Sequence, residues 1–193
     1  MANAPLATQV AFAPLALSAM IRMSESSPHI ECGGILMGTL VGDGTLVISF
    51  AAGPGTEAQR SVASFQYDHE AQKGFLSAVS TSYPAGMVGI WHCHPGGNHY
   101  SSQDLATFTD FVTDHSWNMA AGVFPILGRD WSGRVDDIAV YYLDESCAKP
   151  VRLPWRRVDC SETELLEFAY GEGSYRCDAP FRGRKRGSSA IPR

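Results

Sequence analysis

Two histidines separated by a single residue, His92 and His94, are followed shortly by Ser101 and Asp104. Side chains alternate across a β-strand, so the two histidines would project from one face with Cα atoms about 6.6 to 7 Å apart. Two imidazoles so placed can converge on one ion. Cys93, between them, points the opposite way, which argues against it as a third ligand. Ser101 and Asp104 read in two ways. As a helix start, Ser101 is the N-cap and Asp104 at the third helical position complements the helix dipole. If the turn Pro95–Tyr100 brings that helix start to face the strand end, Asp104 completes a His, His, carboxylate set. Such a set suits a catalytic zinc with its fourth position left to water.

Six histidines in 193 residues give a composition-based expectation of about 0.2 for one His-x-His pair, so the pair alone is a weak signal. A distant constellation strengthens it. Glu31 stands at the mouth of a glycine-punctuated stretch, Glu31-Cys-Gly-Gly-Ile-Leu-Met-Gly38. A carboxylate beside a core is costly unless paired, and nothing local gives this one a structural purpose. The bland alternative is coincidence, a capped helix beside a histidine-bearing strand in an unrelated α/β domain.

Taken together, Glu31-Cys32-Gly33-Gly34-Ile35-Leu36, His92-Cys93-His94-Pro95 and Ser101-Ser102-Gln103-Asp104 resemble the JAB/JAMM (MPN-domain) metalloprotease family. Its pattern is E-x-G-G-hydrophobic, then H-x-H-P, then S-x-x-D. The resemblance runs from about Val10 to Leu143, and Ala52–Gly55, Ser64-Phe65 and Gly89–Trp91 are similar to the bacterial branch. It implies that His92, His94 and Asp104 bind one Zn²⁺ with water as fourth ligand. It also implies that Glu31 holds and deprotonates that water and that Ser101 stabilises the oxyanion. The family places seven residues between the second histidine and the serine, whereas Pro95–Tyr100 is six. Keeping S-x-x-D selects Ser101, because counting from Ser102 puts Leu105 in the ligand position.

The activity implied is a zinc-dependent isopeptidase that hydrolyses the bond after the C-terminal glycine of a ubiquitin-like protein. That covers deconjugation or precursor processing, in a bacterial antiphage pathway beside activating and conjugating enzymes. An extended, glycine-ended tail would pair with a sheet edge near Glu31. The resemblance leaves two alternatives, a peptidase that processes sulfur-carrier proteins and a non-catalytic MPN scaffold. Loss of the glutamate or a ligand usually marks the scaffold, and all are present here.

The positioning elements are legible in outline. Thr8–Phe12 reads as a strand, Pro14 as the first turn of a helix running toward Met23, and Ser24–Pro28 as its end. Gly33–Leu40 and Thr45–Phe50 form a hairpin about Gly42–Gly44. Ala51–Ser64 is loop, with a brief strand near Ser64-Phe65. Asp68–Ser82 and Gln103–His115 are helical, and Met87–Trp91, Ala120–Leu127 and Asp137–Leu143 are strands, with Arg129–Gly133 a turn. The order predicts an α/β domain over 8–145 with a mixed sheet flanked by helices. Residues 146–193 are expected to be a C-terminal extension, with a short helix over Ser161–Tyr170 capped by Ser161 and Glu164. Gly171–Arg193, including the basic Arg182–Arg186, is expected to be a solvated tail.

Composition narrows the partners. Fifteen Lys and Arg against twenty Asp and Glu leave a net charge of -5, which gives no whole-surface attraction for nucleic acid or anionic membrane. No apolar run approaches the ~20 residues of a membrane span. The apolar start, Ala2–Met20, has no preceding Lys or Arg and is interrupted by Pro5 and Pro14, so it is expected to be mature protein. Five scattered cysteines without C-x-x-C argue against a disulfide scaffold and for a reducing cytoplasm. Trp91 and Cys93 are expected in the core and His115 at a helix C-terminus. His99 is expected in an exposed turn over the site. His29, two residues before Glu31, would share its strand face, where a supporting hydrogen bond to it could form.

Overall fold

The computed structural model describes residues 7–42, 44–114, 119–145 and 149–158. His115, the helix expected over Ser161–Tyr170 and the tail beyond it lie outside the described residues. The chain runs β1 (Gln9–Phe12), α1 (Pro14–Glu25), β2 (Cys32–Leu40), β3 (Thr45–Ala51), β4 (Gln59–Arg60) and β5 (Phe65–Gln66). It continues through α2 (His69–Ser82), β6 (Gly86–His94), α3 (Ser102–Thr113), β7 (Ala121–Arg129), β8 (Val135–Asp144), β9 (Val151–Leu153) and β10 (Trp155–Arg157). Eight strands form one sheet in the order β10-β1-β3-β2-β6-β7-β8-β9, and β4 and β5 form a separate two-stranded ribbon. The sheet is mixed: β1 pairs parallel with β3 and β10, β6 pairs parallel with β7, and the remaining pairs are antiparallel. The α/β architecture expected from the pattern is the one observed.

Both faces of this sheet are covered. Pro14 starts α1 at a position that needs no backbone N–H. The buried Ala16, Leu17, Met20 and Ser24 then line one side of the helix. That side packs with Phe12, Leu36, Ile48, Trp91, Leu127 and Val140. α1 lies against β2, β3, β7 and β8. On the opposite face Phe108, Phe111 and Val112 of α3 pack on Ile35, Ile90, Phe124 and Ile126. α2 is tied to the same face by Gln72, whose Oε1 accepts from the Ile35 N–H at 3.0 Å and whose Nε2 donates to the Gly53 carbonyl at 2.7 Å.

The sheet extends past the boundary expected at 145. Leu153 pairs with Val140 at one edge of the sheet, while Trp155 pairs with Val10 at the other. Only Pro154 separates them, and three consecutive residues span at most about 7.6 Å between outer Cα atoms. The two edges must therefore meet, and the sheet curls closed around α1. Pro154 serves the junction through its carbonyl, which accepts from the Val10 N–H at 3.0 Å. The segment covers the outer edges of β8 and β1, which would otherwise invite aggregation. Trp155 secures it by an edge-on contact with Phe12, centroids 5.6 Å apart, and by its indole N–H donating to the Ile138 carbonyl at 2.9 Å.

Two further departures bear on the site. β6 continues beyond Trp91 to His94, because His92, Cys93 and His94 pair with Ile126, Leu127 and Gly128 of β7. Arg129, expected in a turn, is the last residue of β7 and only 1% exposed.

If β10 closes the sheet, Trp155→Ala should lower unfolding stability by about 2 to 4 kcal/mol, measured by urea denaturation. A change below about 0.5 kcal/mol, the size of an ordinary surface effect, would show that closure does not depend on this side chain.

Candidate metal centre

The antiparallel pairing of β2 with β6 places Cys32 opposite Cys93 and Gly33 opposite His92. Glu31, one residue before β2, thereby arrives beside the histidines. Its Oε2 lies 3.2 Å from His92 Nε2. The two glycines after it have a purpose the motif did not reveal. A Cβ at Gly33 would strike the Trp91 carbonyl oxygen and the Phe65 ring, and one at Gly34 the Ala52 carbonyl oxygen. That same Ala52 oxygen accepts the Trp91 indole N–H at 2.8 Å.

His92 and His94 share a face of β6, as alternation requires, with ring centroids 4.7 Å apart. Cys93 and Trp91 are buried among the residues that cover α1. Cys93 Sγ accepts the Cys32 N–H at 3.2 Å and lies 3.0 Å from Cys32 Sγ. Both cysteines are free thiols. The hydrogen bond to Cys93, together with burial, pushes the Cys32 thiol far above its usual range.

The helix-cap reading of Ser101 and Asp104 holds, and it leaves the Asp104 carboxylate within reach of both histidines. Ser101 caps α3: its Oγ accepts the Asp104 N–H at 3.1 Å, and its own N–H donates to Asp104 Oδ2 at 2.6 Å. The Ser101 hydroxyl also donates to Asp104 Oδ2 at 2.7 Å. The cap thus orients the carboxylate instead of competing for it. Asp104, 6% exposed, reaches both imidazoles, with Oδ2 3.3 Å from His94 Nε2 and Oδ1 3.6 Å from His92 Nδ1.

The turn between strand and helix closes in six residues because Gly96 and Gly97 adopt positive φ, 100° and 89°, a conformation that costs glycine little. Asn98, buried, then pins it. Its Nδ2 donates to Asp137 Oδ2 at 2.7 Å and its carbonyl accepts the Tyr141 hydroxyl at 3.1 Å. Gly128 of β7 packs directly on Gly97 and Asn98. Asn98, Asp137, Tyr141 and Gly128 carried no recognisable signal in the sequence, since their partners are far away in the chain. His99 is exposed in this turn and lines the cavity over the site. His29 is exposed and is not among the cavity's lining residues.

That cavity has a volume of about 810 Å³, with the β4–β5 ribbon on one side and α3 on the other. Phe65 of the ribbon meets the His92 ring edge-on at 5.8 Å. Glu31, His92 and His94 each offer one ligand atom, and those atoms lie within 4.8 Å of one another. His92 Nε2 is buried and, despite its distance from Glu31, makes no aligned hydrogen bond. A buried nitrogen left in this state suits a metal ligand, and imidazole with carboxylate is a donor set for zinc and its neighbours in the first transition row. These residues could hold a metal ion.

A model of the prokaryotic homologues of the JAB domain matches residues 15–131. The chain belongs to this family. The matched span holds all five JAB-motif residues singled out above, Glu31, His92, His94, Ser101 and Asp104. Among solved structures, a solution structure of a Desulfitobacterium hafniense protein is similar at a TM-score of 0.60 and 15% identity, covering 81% of this chain and 97% of that one. A Salinibacter ruber protein, also solved in solution, is similar at a TM-score of 0.50 and 19% identity, covering 74% and 88%. At such identities these two show a shared fold and nothing finer. No curated protein matches the chain. Among the described residues no helix is long and apolar enough to cross a membrane.

The charges at this JAB site are coupled. Burial acts to raise the Asp104 pKa, but the hydrogen bonds from His94 and from the Ser101 backbone and hydroxyl outweigh it and hold the carboxyl at about 2. The hydrogen bond to Asp104 raises the His94 pKa against the opposing effect of burial. In metal-free protein the depressed Asp104 stabilises above its unfolded pKa of about 3.9, and this is lost as pH falls toward 2. The raised His94 stabilises fully below its unfolded pKa of about 6.5, and this is lost as pH climbs through the folded value. Chelator-treated protein should therefore be most stable between about pH 4 and 6.5, and Asp104→Asn should flatten both limbs in urea titrations across pH. A metal must displace the His94 proton, so affinity should rise with pH. Calorimetry showing zinc uptake without proton release near pH 6.5 would exclude His94 as a ligand.

Proposed function

We propose that this JAB-domain protein is a zinc-dependent isopeptidase that hydrolyses the bond after the C-terminal glycine of a ubiquitin-like protein. The observation that carries the reading is Glu31 beside the buried, unbonded His92 Nε2, at the floor of an open cavity, with His94 and Asp104 completing the polar set. In this reading His92, His94 and Asp104 would hold the ion, and Glu31, although its carboxylate also lies within ligand range of both imidazoles, is kept for the proton. The ion when bound lowers the pKa of a water from about 9 in the aqueous ion to about 7.

The chain's own residues supply the rest. Glu31 is 9% exposed, so its carboxylate acts in a partly dehydrated site where a transferred proton is kept from bulk water. It accepts the proton of the attacking water and returns it to the leaving amine, the two duties of a general base in amide hydrolysis. The Ser101 hydroxyl donates to Asp104 at rest. By rotating about its Cα–Cβ bond it can donate instead to the oxyanion that develops at the substrate carbonyl, a contact worth about 2.7 to 4 kcal/mol where it is made. Asp104 remains oriented meanwhile by the Ser101 backbone N–H. Phe65 of the ribbon, Tyr67 just after it, and His99 and Tyr100 of the turn before α3 line the cavity. Complete retention of Glu31, His92, His94, Ser101 and Asp104 weighs against the scaffold alternative.

The test is cleavage of ubiquitin-like proteins fused through their C-terminal glycine to a reporter, with a sulfur-carrier protein as a second substrate. Wild type should cleave, and chelation should abolish cleavage. Glu31→Ala should lose a factor of about 10² to 10⁴ while retaining zinc by elemental analysis. Equal rates for all three preparations would sink the zinc mechanism. Loss of zinc from Glu31→Ala would make Glu31 a ligand and overturn its assignment as the proton carrier.

A further inference from the structure

Arg129 is a buried cation that the chemistry above does not use. It is 1% exposed, and among the described residues no carboxylate forms an ion pair with it. Its guanidinium is instead spent on three backbone carbonyls. Nη1 donates to Ser24 at 2.7 Å and to Ser27 at 2.6 Å, and Nη2 donates to Ile30 at 3.0 Å. Charge-assisted hydrogen bonds of this kind are about twice as strong as neutral ones. The first two acceptors lie at the C-terminal end of α1, where the helix dipole favours a cation. These terms offset the desolvation of a charge that would otherwise be expensive to bury.

The three acceptors span the whole connection from α1 to Glu31. The last of them is decisive, because Ile30 C=O and Glu31 N–H belong to one peptide plane. Arg129 holds the carbonyl of that plane, and the Ser61 carbonyl accepts its N–H at 2.8 Å. The next N–H, of Cys32, donates to Cys93 Sγ at 3.2 Å. The backbone is therefore tied on both sides of Glu31, leaving only side-chain torsions free. Arg129 also follows Gly128, the β7 residue paired with His94. One strand end thus touches both halves of the site.

We propose that Arg129 is the positioning residue for Glu31, clamping the peptide that precedes it so that the carboxylate is presented to His92. This rests on the reading that Glu31 carries the proton. A lysine keeps the charge but is a single point donor, unable to reproduce the planar fork that spans three carbonyls.

The test is Arg129→Lys in the full chain, read in two ways. Amide hydrogen exchange over residues 24–32 should accelerate by about tenfold or more, with residues 102–113 unchanged. In the reporter cleavage assay kcat should fall by about 10- to 100-fold with KM unchanged. In a Glu31→Gln background the same substitution should have no further effect on kcat, because its action runs through Glu31. Equal loss in both backgrounds, or unaltered exchange at 24–32, overturns the proposal. A wild type with no peptidase activity sinks the isopeptidase reading instead, and the exchange measurement then decides the clamp alone. Should Arg129→Lys fail to fold, NMR of wild type labelled at arginine decides it. Slowly exchanging, hindered Nη protons at Arg129 support the clamp, and rapidly averaged ones refute it.

Discussion

Two strands whose facing cysteines lie 61 residues apart in the chain meet antiparallel, with Cys32 opposite Cys93 and Gly33 opposite His92, and that register sets the site. A slip of one residue would turn the histidines into the face that packs on α1 and bring the thiols to the cavity, because strand side chains alternate with a period of two. The register is held where such a slip is costly. Gly33 and Gly34 admit neighbouring backbone too close for any side chain, and the Trp91 indole is hydrogen-bonded to the Ala52 carbonyl beside them. The glycines next to Glu31 thus serve the pairing that delivers it.

A buried polar cluster is tolerated only where its members satisfy one another. Asp104 shows how economically this is done: its carboxylate is held by the backbone and hydroxyl of the residue that caps its own helix, and it meets both imidazoles from there. A structural cap and a place in a functional site are usually opposed explanations for such a residue. Here the cap aims the carboxylate, so the stability of α3 and the geometry of the site are one feature. Glu31 differs, for it enters from an irregular connection with no helix of its own to orient it. Arg129 supplies from β7 the rigidity that the connection lacks.

Much of this is legible in the amino-acid sequence. The mixed α/β order, α1, the hairpin and the helices α2 and α3 follow from local periodicity and from proline and glycine placement. Arg129 ends β7 and not the expected turn, because its burial depends on three acceptors about a hundred residues upstream, while locally a charged residue ahead of Asp-Trp-Ser-Gly reads as surface. Residues Val151–Leu153 and Trp155–Arg157 gave too short a pattern to register as strands. They exist because two sheet edges await partners, a condition that is invisible from within a seven-residue segment.

The amino-acid sequence by itself determined which groups are available and which way neighbours face. Two imidazoles share a strand face, a serine and an aspartate stand three apart at a helix start, and an acid precedes two glycines. These are consequences of backbone periods acting over a few residues. The tertiary structure decided that Glu31 meets His92, that the six-residue turn closes through Gly96, Gly97 and Asn98, and that the sheet seals at Pro154. It also decided that a buried arginine holds the peptide before Glu31. Each of these depends on contacts between segments distant in the chain, whose free energy exists only once the sheet has closed around α1.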